Sequence, residues 1–342
     1  MHRRSFLAAS AATLAAPAVL AQGGNGRLTP LKFTLDFRIN GQTAPFFLAL
    51  ARGYYKEEGL DVSIDTGAGS VASITRIASG VYQLGLGDIS SLEEFNAQNP
   101  GTPAVQAVYQ YYNRAPFVII GRKDRGVTGD FKSLAGKKVA AAAVESTRRA
   151  WPLVARRQGL RADAFQWQTT DFSARDNVMV RGDVDAATYF HDSAVSLFAR
   201  MRPETLSVLK YADAGVDLYG NAILASSNLV AQNPKLVAAF LRASNRAIVE
   251  TFADPAPSIA AMRQREPILD EKIERERWNI TAQYVGAADT RGHGLGDIRK
   301  LTLERQVDEV ADVFGLKVKP ASDAIFNTTM LPSRTERTLP KA

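Results

Sequence analysis

The side chains suited to covalent or acid–base chemistry are few. The chain has three histidines and no cysteine, which excludes disulfides, thiolate metal sites and cysteine nucleophiles. His2 belongs to the N-terminal segment treated below, leaving His191 and His293. His191 precedes Asp192, but adjacent side chains diverge at a strand end, so the two form no preassembled dyad. His293 sits in Arg291-Gly292-His293-Gly294 with no second histidine nearby to complete a metal site. The carboxylate pairs Glu57-Glu58 and Glu93-Glu94 fall on helical stretches, where solvated faces account for them. No G-x-S-x-G, Walker-type or dinucleotide-binding glycine pattern occurs. The expectation is a protein that is no enzyme and that holds neither cofactor nor metal.

Capture of a small molecule fits the inventory better. Such pockets combine apolar or aromatic walls with a few placed polar groups. Phe37, Tyr111, Tyr112, Phe172, Tyr189 and Phe190 are aromatics at or near expected strand ends. Singly each is better explained by the core, but together they gather at the same sheet edges. The expected ligand-binding set is Phe37, Asn40, Gly69, Ser70, Asp88, Asn113, Glu145, Ser146, Thr147, Tyr189 and His191. Ser70 can cap a helix, with Gly67 and Gly69 letting the backbone approach a bound group. A helix N-terminus offers free N–H donors to a carboxylate, sulfonate or phosphate; the same start also serves a plain capped helix facing water.

These residues are positioned by alternating strands and helices. Leu31–Phe37 reads as strand, Ala44–Glu58 as helix, Leu60–Asp65 as strand, Val71–Ser79 as helix and Tyr82–Gly87 as strand. That alternation marks βαβ units and a parallel sheet, whose ligands sit beyond the carboxyl ends of the strands. Thr43 is a plausible cap, with Pro45 in the first turn. Strand–helix alternation resumes after Val105, with Ser146 or Thr147 opening a helix at the end of the strand Val139–Val144. The chain after Pro234 is mostly helical, and Val237, Phe240, Leu241 and Ile248 form a stripe to be buried. Arg76–Gly85 and Asn177–Ala186 share one grammar of helix end, glycine and strand, a faint echo of two related lobes.

The run Ala44-Pro45-Phe46-Phe47-Leu48-Ala49-Leu50-Ala51-Arg52-Gly53-Tyr54-Tyr55-Lys56-Glu57-Glu58-Gly59-Leu60-Asp61-Val62 resembles the opening of periplasmic solute-binding proteins of ABC importers. The group it resembles handles nitrate, sulfonates, taurine and the pyrimidine precursor of thiamine. Weaker likeness continues through Gly67–Gly80, Lys132–Val139, Gly182–Ala186 and Asn233–Leu241. The resemblance implies an α/β, two-lobed periplasmic-binding-protein fold (type II), each lobe a sheet flanked by helices, joined by two hinge crossings near Ala115–Gly121 and Asp213–Asn221. Lobe 1 would comprise residues 31–118 and 221–331, and lobe 2 residues 119–220. The polar, aperiodic tail 332–342 is expected to be disordered. Phe37 before Asn40 resembles the heteroaromatic binders, where a ring stacks on the ligand, and the start at Ser70 resembles the anion seat of the sulfonate and nitrate binders. A small aromatic or heteroaromatic solute ranks first, a sulfonate or similar anion next. The implied partners are an ABC permease and its ATPase, with the chain a monomer. No cofactor is implied.

The N-terminus reads as a twin-arginine-type signal peptide over residues 1–21: His2-Arg3-Arg4-Ser5-Phe6-Leu7, an alanine-rich apolar run, and a small-residue cleavage site at Val19-Leu20-Ala21. It is short for a bilayer span, which takes about 20 apolar residues. A lipoprotein anchor needs a cysteine, so an exported, soluble periplasmic protein is expected. About 320 residues then remain, enough for two domains. Losing Arg3 and Arg4, with no acid in the segment, lowers the net charge from +7 to +5. That mild field can steer an anion, but no basic stripe interleaved with aromatics marks a nucleic-acid partner. Two rivals stand. Eukaryotic thiamine-pyrimidine synthases resemble the same stretch but carry a cysteine-rich motif missing here, and a periplasmic ligand sensor would share the fold.

Overall fold

The computed structural model describes residues 28–99 and 104–340. The expected signal peptide at 1–21 lies outside them. The ten strands form two five-stranded sheets with the same plan. In the first the order is β2 (Leu60–Asp65), β1 (Thr29–Thr34), β3 (Leu84–Asp88), β10 (Asn221–Ser226), β4 (Val105–Gln110). In the second it is β7 (Gln166–Thr169), β6 (Lys138–Ala141), β8 (Ala186–Phe190), β5 (Phe117–Arg122), β9 (Leu206–Lys210). β1 runs parallel to β2 and β3, and β6 parallel to β7 and β8. Each sheet then receives one antiparallel strand: β10 between β3 and β4, and β5 between β8 and β9. Those two strands are the ones delivered by the crossings at 111–116 and 211–220. The molecule thus has two α/β lobes, and the repeated helix–glycine–strand grammar falls at equivalent places, before β3 and before β8.

Side-chain pattern explains which strands lie where. β3 and β5 are buried nearly throughout, as apolar central strands covered on both faces must be. β2 alternates buried and exposed residues at an edge. In lobe 1 the helix Pro234–Ala253 buries Val237, Phe240, Leu241 and Ile248, the stripe that its spacing predicts. Its first turn is held by Asn233, whose side chain accepts from the Leu236 N–H at 3.2 Å. Phe240 stacks on Tyr55 with centroids 5.1 Å apart and meets Phe33 at 5.0 Å. Each such ring contributes about 1.5–3 kcal/mol on burial. Glu57 and Glu58, which oppose the dipole of their own helix end, are explained here. They pair with Arg246 and Arg242 of that same long helix.

Three local expectations are corrected. β1 stops at Thr34, so Asp36 and Phe37 lie beyond the strand, at its carboxyl end. The expected helix Ala44–Glu58 is two pieces, Ala44–Ala51 and Tyr54–Glu57. The segment 332–340, expected to be disordered, is pinned by Arg337. That guanidinium is buried and donates to the carbonyls of Pro332 and Leu295 and to Asp297 Oδ2. One long side chain docking into lobe 1 supplies what the polar composition of the tail does not announce. Among the described residues, no helix is long and apolar enough to cross a membrane.

Candidate functional site

A cavity lies where the carboxyl ends of the parallel strands of both sheets face each other. It encloses about 390 Å³ free of atoms, open solvent at its mouth included. Lobe 1 contributes Asp36, Phe37, Gln42, Gly69 and Ser70. Lobe 2 contributes Glu145, Ser146, Phe172, Arg175, Phe190 and Ser193. Phe37 and Phe172 meet edge to face across the cleft, 5.1 Å between centroids, so the two lobes touch through rings.

On the lobe 1 wall the backbone beyond β1 is tied to the loop after β2. The N–H groups of Gly67 and Gly69 donate to the carbonyls of Phe37 and Asp36, at 2.9 and 2.7 Å. A Cβ on Gly67 would stand 2.0 Å from the Leu35 carbonyl oxygen. This glycine therefore serves a close approach of backbone to backbone, not to a ligand. Gly69, at φ +105°, is the residue before the helix Ser70–Ala78. Ser70, expected to cap that helix, is its first residue and makes no side-chain cap bond. Asp36 is buried, its Oδ2 accepting from Asn221 Nδ2 at 2.6 Å and its Oδ1 lacking any partner. Burial drives its pKa up to about 6, against the opposing hydrogen bond from Asn221. Gln42 is likewise buried, with Oε1 unpartnered.

On the lobe 2 wall the polar groups are mostly matched. Glu145 Oε1 takes Arg175 Nη1 at 2.7 Å, and its Oε2 takes Thr188 Oγ1 at 2.8 Å and the Ala142 N–H at 3.2 Å. The Arg175 guanidinium lies 4.0 Å from the Tyr189 ring centroid and 5.3 Å from that of Phe172, within cation–π range. Among the lobe 2 residues that line the cavity, Nε of Arg175 is the one buried polar atom without a partner.

Of the residues expected from sequence, Phe37, Gly69, Ser70, Glu145 and Ser146 line this cavity. The other six do not. Asn40 caps the turn Gly41–Thr43, accepting from the Gln42 N–H. Asp88 caps the helix Ile89–Gln98 through the Ser91 N–H. Asn113 is buried in the crossing, in marginal contact with the Asp297 carbonyl. Thr147 turns to the Tyr189 carbonyl at 3.4 Å, and neither it nor Ser146 caps the short helix that Glu145 precedes. Tyr189 underlies Arg175 and donates to Asp176. His191 meets Tyr284, Nδ1 to hydroxyl 2.9 Å, and burial lowers its pKa to about 4.

The sequence reading missed Asp36, Gln42, Arg175 and Ser193 and left Phe172 and Phe190 as general aromatics. One signal was available: Arg175 opens the helix Arg175–Arg181, where a cation opposes the dipole and needs a partner. The reading of Glu93 is also corrected. Expected on a solvated face, it is fully buried with both carboxylate oxygens unpartnered. Burial first, then the nearby Asp88 charge, push its pKa well up. Asp88 itself rises to about 7, mainly by burial.

The lobes are also joined at the edge of the cavity and beyond it. Ser91 and Ser146 hydroxyls are 3.2 Å apart, and Arg149, Arg156 and Arg157 of lobe 2 pair with Glu94, Asp312 and Glu309 of lobe 1. On the other flank the helix Glu271–Val285 reaches both lobes. Glu274 Oε2 accepts from the Gly41 N–H, and Arg277 Nη1 donates to the Asp192 carbonyl at 2.7 Å. Among the described residues, no group of three or more acids and histidines is placed to hold a metal ion.

Two α/β lobes with a ring-walled cavity between them define the class: a periplasmic-binding-protein fold. The aliphatic sulphonate-binding protein SsuA of Escherichia coli superposes with a TM-score of 0.69 at 15% identity, covering 89% of this chain and 94% of that one. The family model described as NMT1/THI5 like matches residues 40–258, and the chain belongs to that family. It is similar to the 4-amino-5-hydroxymethyl-2-methylpyrimidine phosphate synthase of Aspergillus parasiticus, 25% identical over 266 residues, 74% of this chain and 76% of the relative. It is also similar to the riboflavin-binding protein RibY of Chloroflexus aurantiacus, 28% identical over 291 residues, 80% of each. The expectation that the chain is no enzyme is thereby corrected. Named synthases stand among its relatives, so a chain poor in histidine and cysteine is not excluded from catalysis on that ground.

Proposed function

We propose that the protein captures a small aromatic or heteroaromatic solute in the interlobe cavity, in the periplasm, and delivers it as a monomer to an ABC permease and its ATPase. The observation that carries this is the cavity itself, with rings contributed by both lobes so that closure brings Phe37 and Phe172 together. The riboflavin-binding relative supports a ring-bearing solute. The lobe 1 wall weighs against a bare anion near Ser70, because Asp36 and Gln42 present acceptors there. Binding to the closed form drives closure about the two crossings.

Thermal-shift titration with riboflavin, hydroxymethylpyrimidine, taurine, alkanesulfonates and nitrate tests this. Ring compounds should raise the midpoint by mass action, and nitrate and taurine should not; the reverse order would overturn the solute class. Conversion of the captured compound is a second reading, carried by the pyrimidine phosphate synthase relatives. Mass spectrometry of the ring compounds recovered after incubation separates the two: an altered ring favours conversion, an unaltered one favours capture.

A further inference from the structure

We infer that the ligand is bipolar: a ring whose one edge donates hydrogen bonds to Asp36 and Gln42 while the opposite end presents a two-oxygen acceptor, carboxylate, sulfonate or phosphate, to Arg175. The inference rests on the reading of the cavity as a solute site and adds the ligand's polarity to it. Three side chains at the cavity wall are at least nine-tenths buried and carry an atom without a partner: Asp36 Oδ1, Gln42 Oε1 and Arg175 Nε. Buried polar atoms are rarely left unpaired, and their distribution here is not random. With Asp36 ionised, its Oδ1 and Gln42 Oε1 accept, beside the donor end of the same Gln42 amide, whereas Arg175 Nε can only donate.

Arg175 is built for this. Glu145 engages Nη1 and leaves the Nε–Nη2 edge with no hydrogen-bond partner among the described residues. That edge presents two parallel N–H groups, the geometry that two oxygens of one acid accept. Tyr189 and Phe172 hold the plane of the guanidinium, and Glu145 is itself fixed by Thr188 and the Ala142 N–H. Little ordering is then left for the ligand to supply. The Glu145 charge offsets that of Arg175, so a ligand meets a directional donor pair more than a free cation. A ligand ring lying against Phe190 and the Phe37–Phe172 pair would separate the two ends.

Calorimetric titration of the full chain with three probes reads this out: 2-aminopyrimidine-5-carboxylate, whose amine and acid lie at opposite ends of the ring, its 5-hydroxymethyl analogue, and pyrimidine-5-carboxylate lacking the amine. The amino acid probe should bind tightest, and removing either end should weaken binding about 10- to 100-fold. Arg175→Lys, which keeps the charge but loses the two-point edge, should cost the carboxylate probe its advantage and leave the hydroxymethyl analogue unchanged. Because Arg175→Ala would strand Glu145, the double variant Arg175→Gln/Glu145→Gln supplies a neutral control with the same expected loss. Equal binding of the carboxylate and hydroxymethyl probes would overturn the bipolar ligand while leaving capture of a ring solute intact. Failure of every ring compound to bind folded protein would overturn both.

Discussion

The two walls of the cleft are built from the same sheet plan and solve the burial of charge in opposite ways. Lobe 2 pairs its carboxylate: Glu145 has a guanidinium, a hydroxyl and a backbone N–H as donors. Lobe 1 leaves Oδ1 of its wall carboxylate Asp36 unpaired, and away from the wall Asp88 Oδ2 and both Glu93 oxygens, and lets burial raise their proton affinity instead; in lobe 2 the comparable oxygen, Asp192 Oδ1, lies off the cavity wall. The contrast teaches where rigidity and where responsiveness lie. A matched network fixes geometry, whereas an unmatched group stays available to a ligand or a proton.

The comparison breaks most visibly on the matched side. Glu145→Ala leaves Arg175 buried without its counter-charge, and losing one partner of a buried pair costs about 3–5 kcal/mol. Chemical denaturation should show a loss of unfolding free energy of that size, and a loss below about 1 kcal/mol would mean that solvent reaches Arg175.

The unmatched side answers to pH. A carboxyl whose folded pKa exceeds its unfolded value keeps its proton more tightly in the folded state, so stability is full below the unfolded pKa and falls as pH rises. For Asp36 the decline runs from about 4 to about 6, and for Asp88 from about 4 to about 7. Asp88→Asn retains a capping acceptor for the Ser91 N–H and removes the titration. The slope of stability against pH should flatten across that window, by up to about 1.4 kcal/mol per pH unit. An unchanged slope would show that Asp88 ionises normally and that the unmatched carboxyls of lobe 1 do not answer to pH in this way.

The difference between the walls was only partly legible in the sequence. The alternation from Leu31 to Gly87 announced parallel βα units, and the run from Gly53 to Val62 placed the chain in its fold group, because local period and turn chemistry suffice for both. Reading the strand through to Phe37 hid Asp36, since an acid inside an alternating strand reads as its solvent face. The strand in fact ends at Thr34, so Asp36 lies in the loop that builds the wall. Glu145 was found from its strand-end position, but its partner lies 30 residues away, a separation that no local pattern encodes. Glu93 was misread for a related reason. An acid pair on a helix looks solvated until the helix packing above it is known, and here that packing buries Glu93 and leaves Glu94 to meet Arg149 of the other lobe.

Phe37 sharpens the comparison where the walls meet. It is half-buried and contacts Phe172 of the opposite lobe. Phe37→Ala should weaken a ring ligand by about 0.5–1.5 kcal/mol, the size of one aromatic pair, with little change in the denaturation midpoint. Unchanged affinity would remove Phe37 from the site, and a large drop in stability would make it core.

The smallest effect is expected at the rim, where the lobes meet in water. Arg156 and Asp312 are each nearly two-thirds exposed, whereas Glu94, the partner of Arg149, is only 12% exposed. Exposed pairs contribute about 0–1 kcal/mol and are screened by salt. Arg156→Ala should therefore change ligand affinity less than about fivefold at low salt and not at all at high salt, because the lobes also meet through the ring contact and the buried clasp of Arg277 on the Asp192 carbonyl. Arg149→Ala, acting through a more sheltered carboxylate, should exceed it under the same conditions. Equal effects, measured by calorimetry at two ionic strengths, would mean that the rim charges act by net field alone and that burial at the interface does not rank them.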